Sequence, residues 1–203
     1  MAVPPTIPSA LAHAAFDMSE KPDLRRALRL ARKAFVDALT PAELASVRPH
    51  LAATLEPDIA AARCVAAYVP VGREFPALAA LDFASGRAQT ALPFVESRDA
   101  PMRFFAWAPG GSLEPGPFGL LQPAPVTPVE PDLILVPLLG FDRALGRLGQ
   151  GAGHYDRYLA GHPAARRIGL AWSCQEVEQV PGDPWDMPLH AIVTERERIG
   201  SPS

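Results

Sequence analysis

From Arg147 to Asp156 the chain reads Arg-Leu-Gly-Gln-Gly-Ala-Gly-His-Tyr-Asp, alternating glycines between a cation and an anion. Gly149, Gly151 and Gly153 would let main-chain N–H groups approach a phosphate closely. A helix opening behind them would add the partial positive charge of its N-terminus. Asp156, three residues past the last glycine, stands where it would repel that phosphate. At about 5 Å and an effective dielectric near 20 the repulsion is about 3 kcal/mol per pair of unit charges. A cation should therefore sit between the two, and a hard divalent ion such as Mg²⁺ meets the requirement. Arg147, at the mouth of the turn, suits a bidentate clamp on phosphate oxygens. Two better-known phosphate motifs do not apply. The chain has no Gly-Lys pair for a P-loop, and counting from Gly149 puts His154 where the dinucleotide fingerprint has its third glycine.

Other residues carry chemistry only in company. Lys21 and Arg25 are spaced i, i+4, so their heads share one helix face, and the spacing alone describes a solvated face. Glu74 follows Gly72-Arg73 and by itself reads as a cap on a following helix. Asp186, within Pro-Trp-Asp-Met-Pro, reads as a turn residue, and Asp156 could simply favour a helix N-terminus.

The elements that must position these residues follow from periodicity. Pro22 suits a first helical turn, and Leu24, Leu28, Ala31 and Phe35 recur at helical spacing with arginines on the other faces. Thr40-Pro41-Ala-Glu43 predicts a capped second helix running to about Leu55. Apolar runs predict strands over 64–69, 89–95, 132–138, 167–172 and 191–194, with an outer strand over 102–107. Helices are expected over 74–84 and 153–160, and the Pro/Gly-rich stretch 109–128 reads as a long irregular connection. Two N-terminal helices followed by alternating strands and helices predict a three-layer α/β/α fold with a mostly parallel central sheet.

The chain has 203 residues, enough for one domain with a substantial core. Residues 1–18 read as a flexible extension without the basic start and continuous apolar core of a signal peptide, and 19–203 as the domain. A net charge of -3 supplies no global basic field, so phosphate binding must be local and nucleic acid is not expected as a partner. Neither is a membrane, since no apolar run is long enough to span one. Cys64 and Cys174 lie outside any Cys-x-x-Cys pattern in apolar runs, which predicts buried reduced thiols and a cytoplasmic setting.

Together, Val-Pro-Leu-Leu-Gly-Phe-Asp and the following Gly-Arg147-Leu-Gly-Gln-Gly-Ala-Gly-His-Tyr-Asp156-Arg-Tyr-Leu closely resemble the signature of the 5-formyltetrahydrofolate cyclo-ligase family. Lys21-Pro-Asp-Leu-Arg25 looks like the family's K-x-x-x-R, and Tyr68 to Glu74 like its strand-then-Glu element. Pro123 with the following strand, and Asp186 to Thr194, also fall where the family has them. The resemblance implies ATP-dependent conversion of 5-formyltetrahydrofolate to 5,10-methenyltetrahydrofolate, and a monomer is the expected form. It implies ATP binding by Lys21, Arg25 and the run Arg147, Leu148, Gly149, Gln150, Gly151, Ala152, Gly153, His154 and Tyr155. Folate contacts would come from Val69, Glu74 and the run from Gln150 to Tyr155, and Mg²⁺ ligands from Asp156 and Asp186. Arg147 and Tyr155 would be the catalytic side chains. Ala152, His154 and His190 depart from the family, where Gly, an aromatic residue and Asp are common. A non-catalytic folate- or nucleotide-binding module, or a kinase-like enzyme using the same phosphate site, is the alternative.

Overall fold

The computed structural model describes residues 21–183 and 186–201. The expected N-terminal extension lies outside the described residues. The helices are α1 (Lys21–Ala38), α2 (Pro41–Ala61), α3 (Leu78–Ala84) and α4 (His154–Gly161). The strands are β1 (Cys64–Ala66), β2 (Gln89–Phe94), β3 (Arg103–Ala106), β4 (Glu114–Pro115), β5 (Leu121–Gln122), β6 (Pro128–Val129), β7 (Leu133–Pro137), β8 (Gly140–Phe141), β9 (Arg147–Leu148), β10 (Arg166–Leu170), β11 (Ala191–Val193) and β12 (Arg198–Ile199).

Eight strands form one sheet in the order β12-β11-β10-β7-β1-β2-β3-β6. The five from β11 to β2 run parallel, and β12, β3 and β6 pair antiparallel at the edges. Val65, Leu133 and Leu135 face a core shared with α2 and α3. Ala66, Ile134 and Val136 face the opposite core, which includes Tyr158 and Leu159 of α4. The fold is thus the expected α/β arrangement with a mostly parallel sheet between helical layers. The connection through α3 carries the chain from β1 to β2, and that through α4 carries it the other way, from β7 to β10. Right-handed crossovers leaving adjacent strands in opposite directions put their helices on opposite faces. They also open a crevice where the order switches, beyond the C-terminal ends of β1 and β7.

Local chemistry explains where elements end. Thr40 caps α2 reciprocally with Glu43: its Oγ1 accepts from the Glu43 N–H at 3.3 Å, and Glu43 Oε2 accepts from the Thr40 N–H at 2.8 Å. The helix runs to Ala61, past the expected end near Leu55, even though it contains Pro49 and Pro57. Buried Val47, Leu51, Leu55 and Ile59, spaced four apart, hold it on the sheet strongly enough to carry those prolines. The helix expected from Glu74 starts only at Leu78. Pro76 disfavours helical backbone at Phe75 and leaves Glu74 in a turn. The irregular stretch 109–128 holds the β4–β5 hairpin and the start of edge strand β6. Among the described residues, no helix is long and apolar enough to cross a membrane.

Candidate functional site

A cavity of about 730 Å³ fills the crevice, bounded by α1, the segments after β1 and β7, and the β2–β3 side of the sheet. Lys21, Arg25, Val69, Glu74, the whole run Arg147–Asp156 and Asp186 all line it. The structure therefore brings the candidate ATP, folate and metal residues of the sequence to one place, whereas His190 lies apart, against Arg167.

One wall is cationic. Lys21, Arg25, Arg29 and Arg32 of α1 all face the cavity, at the i, i+4, i+8, i+11 spacing of one helix stripe. The neighbouring stripe, Leu24 and Leu28, packs on Leu148 and Val180 and fixes the helix over the glycine turn. Lys21 Nζ donates to Asp183 Oδ2 at 2.5 Å and to Asp186 Oδ2 at 3.0 Å. Burial opposes the Lys21 charge, but these two carboxylates outweigh it and raise its pKa. Burial likewise opposes the Asp186 charge, while the Asp183 N–H and the Lys21 ammonium hold its pKa below the usual value. Arg25 Nε donates to the Gly149 carbonyl at 2.9 Å, which ties the helix directly to the turn.

The hairpin β8–β9 sets Arg147 at the cavity mouth. Asp142 closes this hairpin by accepting from the Gly146 N–H at 2.9 Å and from the Val180 N–H at 2.9 Å. The Arg147 side chain is 4% exposed; its Nη2 pairs with Asp156 Oδ1 and its Nε donates to the Met187 carbonyl at 3.3 Å. The cation demanded beside Asp156 is thus, in the free protein, the Arg147 guanidinium. Gly151 and Gly153 have φ of +104° and +68°, backbone that L side chains rarely adopt. Gly153 is also the N-cap of α4. Ala152 has no positive φ, so the family's glycine is not needed there.

The opposite wall mixes apolar and buried polar groups. Glu74 Oε2 accepts from the Val71 N–H at 3.0 Å, so the turn after β1 aims the carboxylate inward rather than capping a helix. Glu74 Oε1 accepts from Gln150 Nε2 at 3.1 Å, and Gln150 Oε1 accepts from Arg29 Nη2 at 2.9 Å, linking the glycine turn to the segment after β1. Tyr155 OH is buried without a hydrogen-bond partner among the described residues. Burial first, then the Glu74 charge, raises its pKa and keeps it a proton donor. His154 Nδ1 faces Arg157 Nη2 at 3.1 Å, and its Nε2 is buried without a partner among the described residues. Burial, with Arg157 and then Arg98, lowers the His154 pKa and keeps the ring neutral.

Four participants were not read as site residues in the sequence: Arg29, Arg32, Asp183 and Tyr68. The continuation of the Lys21–Arg25 stripe by Arg29 and Arg32 was the available signal for two of them. Arg32, grouped with the outward arginines, is instead 7% exposed. Both cysteines are free and buried. Burial, with Asp132 near Cys64 and Glu195 near Cys174, pushes the thiols up to about 11 and about 12, too high for a nucleophile.

Among the described residues, no three His, Cys, Asp or Glu side chains are grouped to hold a metal by themselves. Asp156 and Asp186 nevertheless line the same cavity as the glycine turn. One or two carboxylates, completed by water and substrate phosphates, are the ligand set Mg²⁺ prefers. The donor chemistry fits Mg²⁺ arriving with a nucleotide.

A profile of the 5-formyltetrahydrofolate cyclo-ligase family matches residues 17–195. The 5-formyltetrahydrofolate cyclo-ligase of Mycolicibacterium smegmatis is 34% identical over 191 residues, covering 88% of this chain and 95% of the relative. The NMR structure of Aquifex aeolicus 5,10-methenyltetrahydrofolate synthetase matches with a TM-score of 0.73 at 28% identity, over 88% of this chain and 91% of that one. The 5,10-methenyltetrahydrofolate synthetase of Mycoplasma pneumoniae matches with a TM-score of 0.63 at 25% identity, over 87% and 99% of the two chains. With sequence and fold in agreement over nearly its whole length, the chain belongs to the 5-formyltetrahydrofolate cyclo-ligase family.

Proposed function

We propose that this chain closes 5-formyltetrahydrofolate to 5,10-methenyltetrahydrofolate at the expense of ATP. The observation that carries the reading is one continuous cavity in which a cationic glycine turn and a carboxylate-bearing, partly aromatic wall face each other. The formyl oxygen of the N5 amide is a poor leaving group. Its lone pair attacks the ATP γ-phosphorus, the bond to the ADP oxygen breaks, and an N5=CH–O–phosphate iminium forms. The N10 lone pair then attacks the formyl carbon, the N10 proton is lost, and the C–O bond breaks to release phosphate with the original formyl oxygen. The product keeps the N5–CH–N10 bridge.

Phosphoryl transfer asks for position and charge compensation rather than covalent help. Lys21 and Arg25 hold the triphosphate along the α1 stripe, and the N–H groups from Gly149 to Gly153 cradle it. Arg147 turns its fork from Asp156 to the transferring phosphoryl group. Tyr155, kept protonated, donates to the oxygen that carries the new charge. Asp156 and Asp186 hold Mg²⁺, which neutralises phosphate charge when bound. Glu74 accepts from the pterin, and Val69 forms an apolar wall of the same subsite. The working form proposed is a monomer. The two buried thiols support a reducing, cytoplasmic setting.

Mixing the protein with 5-formyltetrahydrofolate and Mg·ATP should give a growing near-ultraviolet absorbance from the methenyl product, with one ADP formed per product. ATP hydrolysis without that signal, or product formation without ATP, would overturn the reading.

A further inference from the structure

Arg32 lines the cavity from α1, its side chain 9% exposed, beside the Glu74 side chain at 10%. Its Nη1 lies 3.7 Å from Glu74 Oε1, close enough for an ion pair but too far for a hydrogen bond. Nη1 has less than 1 Å² of exposed surface and no hydrogen-bond partner among the described residues. A buried guanidinium nitrogen without an acceptor is costly, and such groups in native proteins call for an explanation. Glu74 has the complementary surplus. A carboxylate offers about four acceptor sites, and the Val71 N–H and Gln150 Nε2 use one on each oxygen. Side by side, the pair presents free acceptor capacity and then a free donor to whatever fills the cavity.

A planar ring edge that offers two donors followed by an acceptor satisfies both. The pterin edge of a reduced folate carries the 2-amino group, N3–H and the 4-oxo oxygen in that row. We infer that Arg32, through Nη1, reads the 4-oxo oxygen while Glu74 takes the 2-amino and N3 hydrogens, so that Arg32 sets selectivity for 4-oxo pterins. The inference rests on the folate reading proposed above. It gives an independent reason for the burial of Arg32, because a solvated α1 face would leave Nη1 in water. The chain Arg29–Gln150–Glu74 then holds the carboxylate in the orientation that the ring edge needs.

The test is equilibrium binding without ATP, comparing 5-formyltetrahydrofolate with its 4-amino-4-deoxy analogue, in which an amino donor replaces the oxygen and N3 carries a lone pair in place of its hydrogen. The wild-type chain should prefer the 4-oxo compound by roughly 100-fold or more, since two hydrogen bonds to charged groups favour it, that of the oxygen to Arg32 and that of N3–H to Glu74. Arg32→Met should narrow that preference by roughly 10-fold and leave the part that N3–H owes to Glu74. Arg32→Lys keeps the positive charge beside Glu74, and so the fold, but its shorter stem does not reach the Nη1 position; it should narrow the preference by roughly 10-fold. A purely structural Arg32 would weaken both ligands equally, so an unchanged ratio in either folded variant overturns the inference. So does a wild-type chain that binds and converts 5-formyltetrahydrofolate yet does not discriminate, and in that case the proposed function survives. A wild-type chain that binds neither compound sinks the proposed function, and the inference with it.

Discussion

His190 and Arg167 show how one residue can set a pH limit. His190 Nδ1 accepts from the Arg167 main-chain N–H at 3.0 Å, which places the ring hydrogen on Nε2 in the neutral form. Nε2 stands 3.2 Å from Arg167 Nη2, so one donor faces another, and Arg167 Nε and Nη1 are buried without hydrogen-bond partners among the described residues. Burial, followed by the Arg167 and Arg166 charges, lowers the His190 pKa. The sign follows. Below about pH 6.5 the unfolded chain takes up a proton that the folded one refuses, so stability falls as the pH drops, down to the depressed folded value. His190→Asn keeps an acceptor for the Arg167 N–H and cannot titrate. Its melting temperature should be close to wild type at pH 7.5 and should fall less between pH 7.5 and 5.5. Parallel falls in the two proteins would show that His190 is not the group responsible. At this scale the sequence was uneven. Arg147, Glu74 and the glycines reach the site because their neighbours in the chain form the motif. Arg32 and Asp183 depend on partners far away in sequence, which spacing along one helix or one loop does not display.

The glycine turn makes two different demands on its elements. Gly153 lies at φ +68°, where a Cβ would meet Arg157 Nη1 at 2.9 Å. Gly149 has no positive φ, and a Cβ there would approach Arg147 Nη1 no closer than 4.0 Å. Gly153→Ala should therefore lower stability by about 1–2 kcal/mol through its left-handed backbone. Gly149→Ala should stay within about 0.5 kcal/mol of wild type in denaturant melts. If the turn works by letting phosphate approach the backbone, Gly149→Ala should still raise the KM for ATP several-fold and leave that for folate alone. An unchanged KM for ATP would move the phosphates elsewhere in the cavity. The elements themselves were largely legible. Apolar runs mark the buried parallel strands, and Thr40 with Glu43 marks the start of α2. What escaped were the two-residue pairings β4–β5 and β8–β9, too short to show a period, and the end of α2, where burial overrode Pro57. The second hairpin matters most, because it is what carries Arg147 to the cavity mouth.

Across the whole molecule a net charge of -3 leaves phosphate binding to a local arrangement, and in the free protein two of its cations are already neutralised. Lys21 is held by Asp183 and Asp186, and Arg147 by Asp156. A triphosphate arriving alone must displace these carboxylates and then lie beside them; each like-charge contact at about 4 Å costs about 4 kcal/mol at an effective dielectric near 20. On the proposed function, a divalent ion that compensated the carboxylates would free Lys21 and Arg147 for phosphate. ATP with Mg²⁺, at about 100 times its Kd, should therefore raise the melting temperature by about 5–10 °C. ATP with EDTA at matched ionic strength should raise it much less. Asp156→Asn removes one of the opposing charges and one oxygen ligand. The gap between the two shifts should shrink in that variant, and turnover should be lost while the fold persists. Equal shifts with and without the divalent ion in the wild-type chain would separate the carboxylates from nucleotide binding, and Asp156 would then be an orienting partner for Arg147 alone.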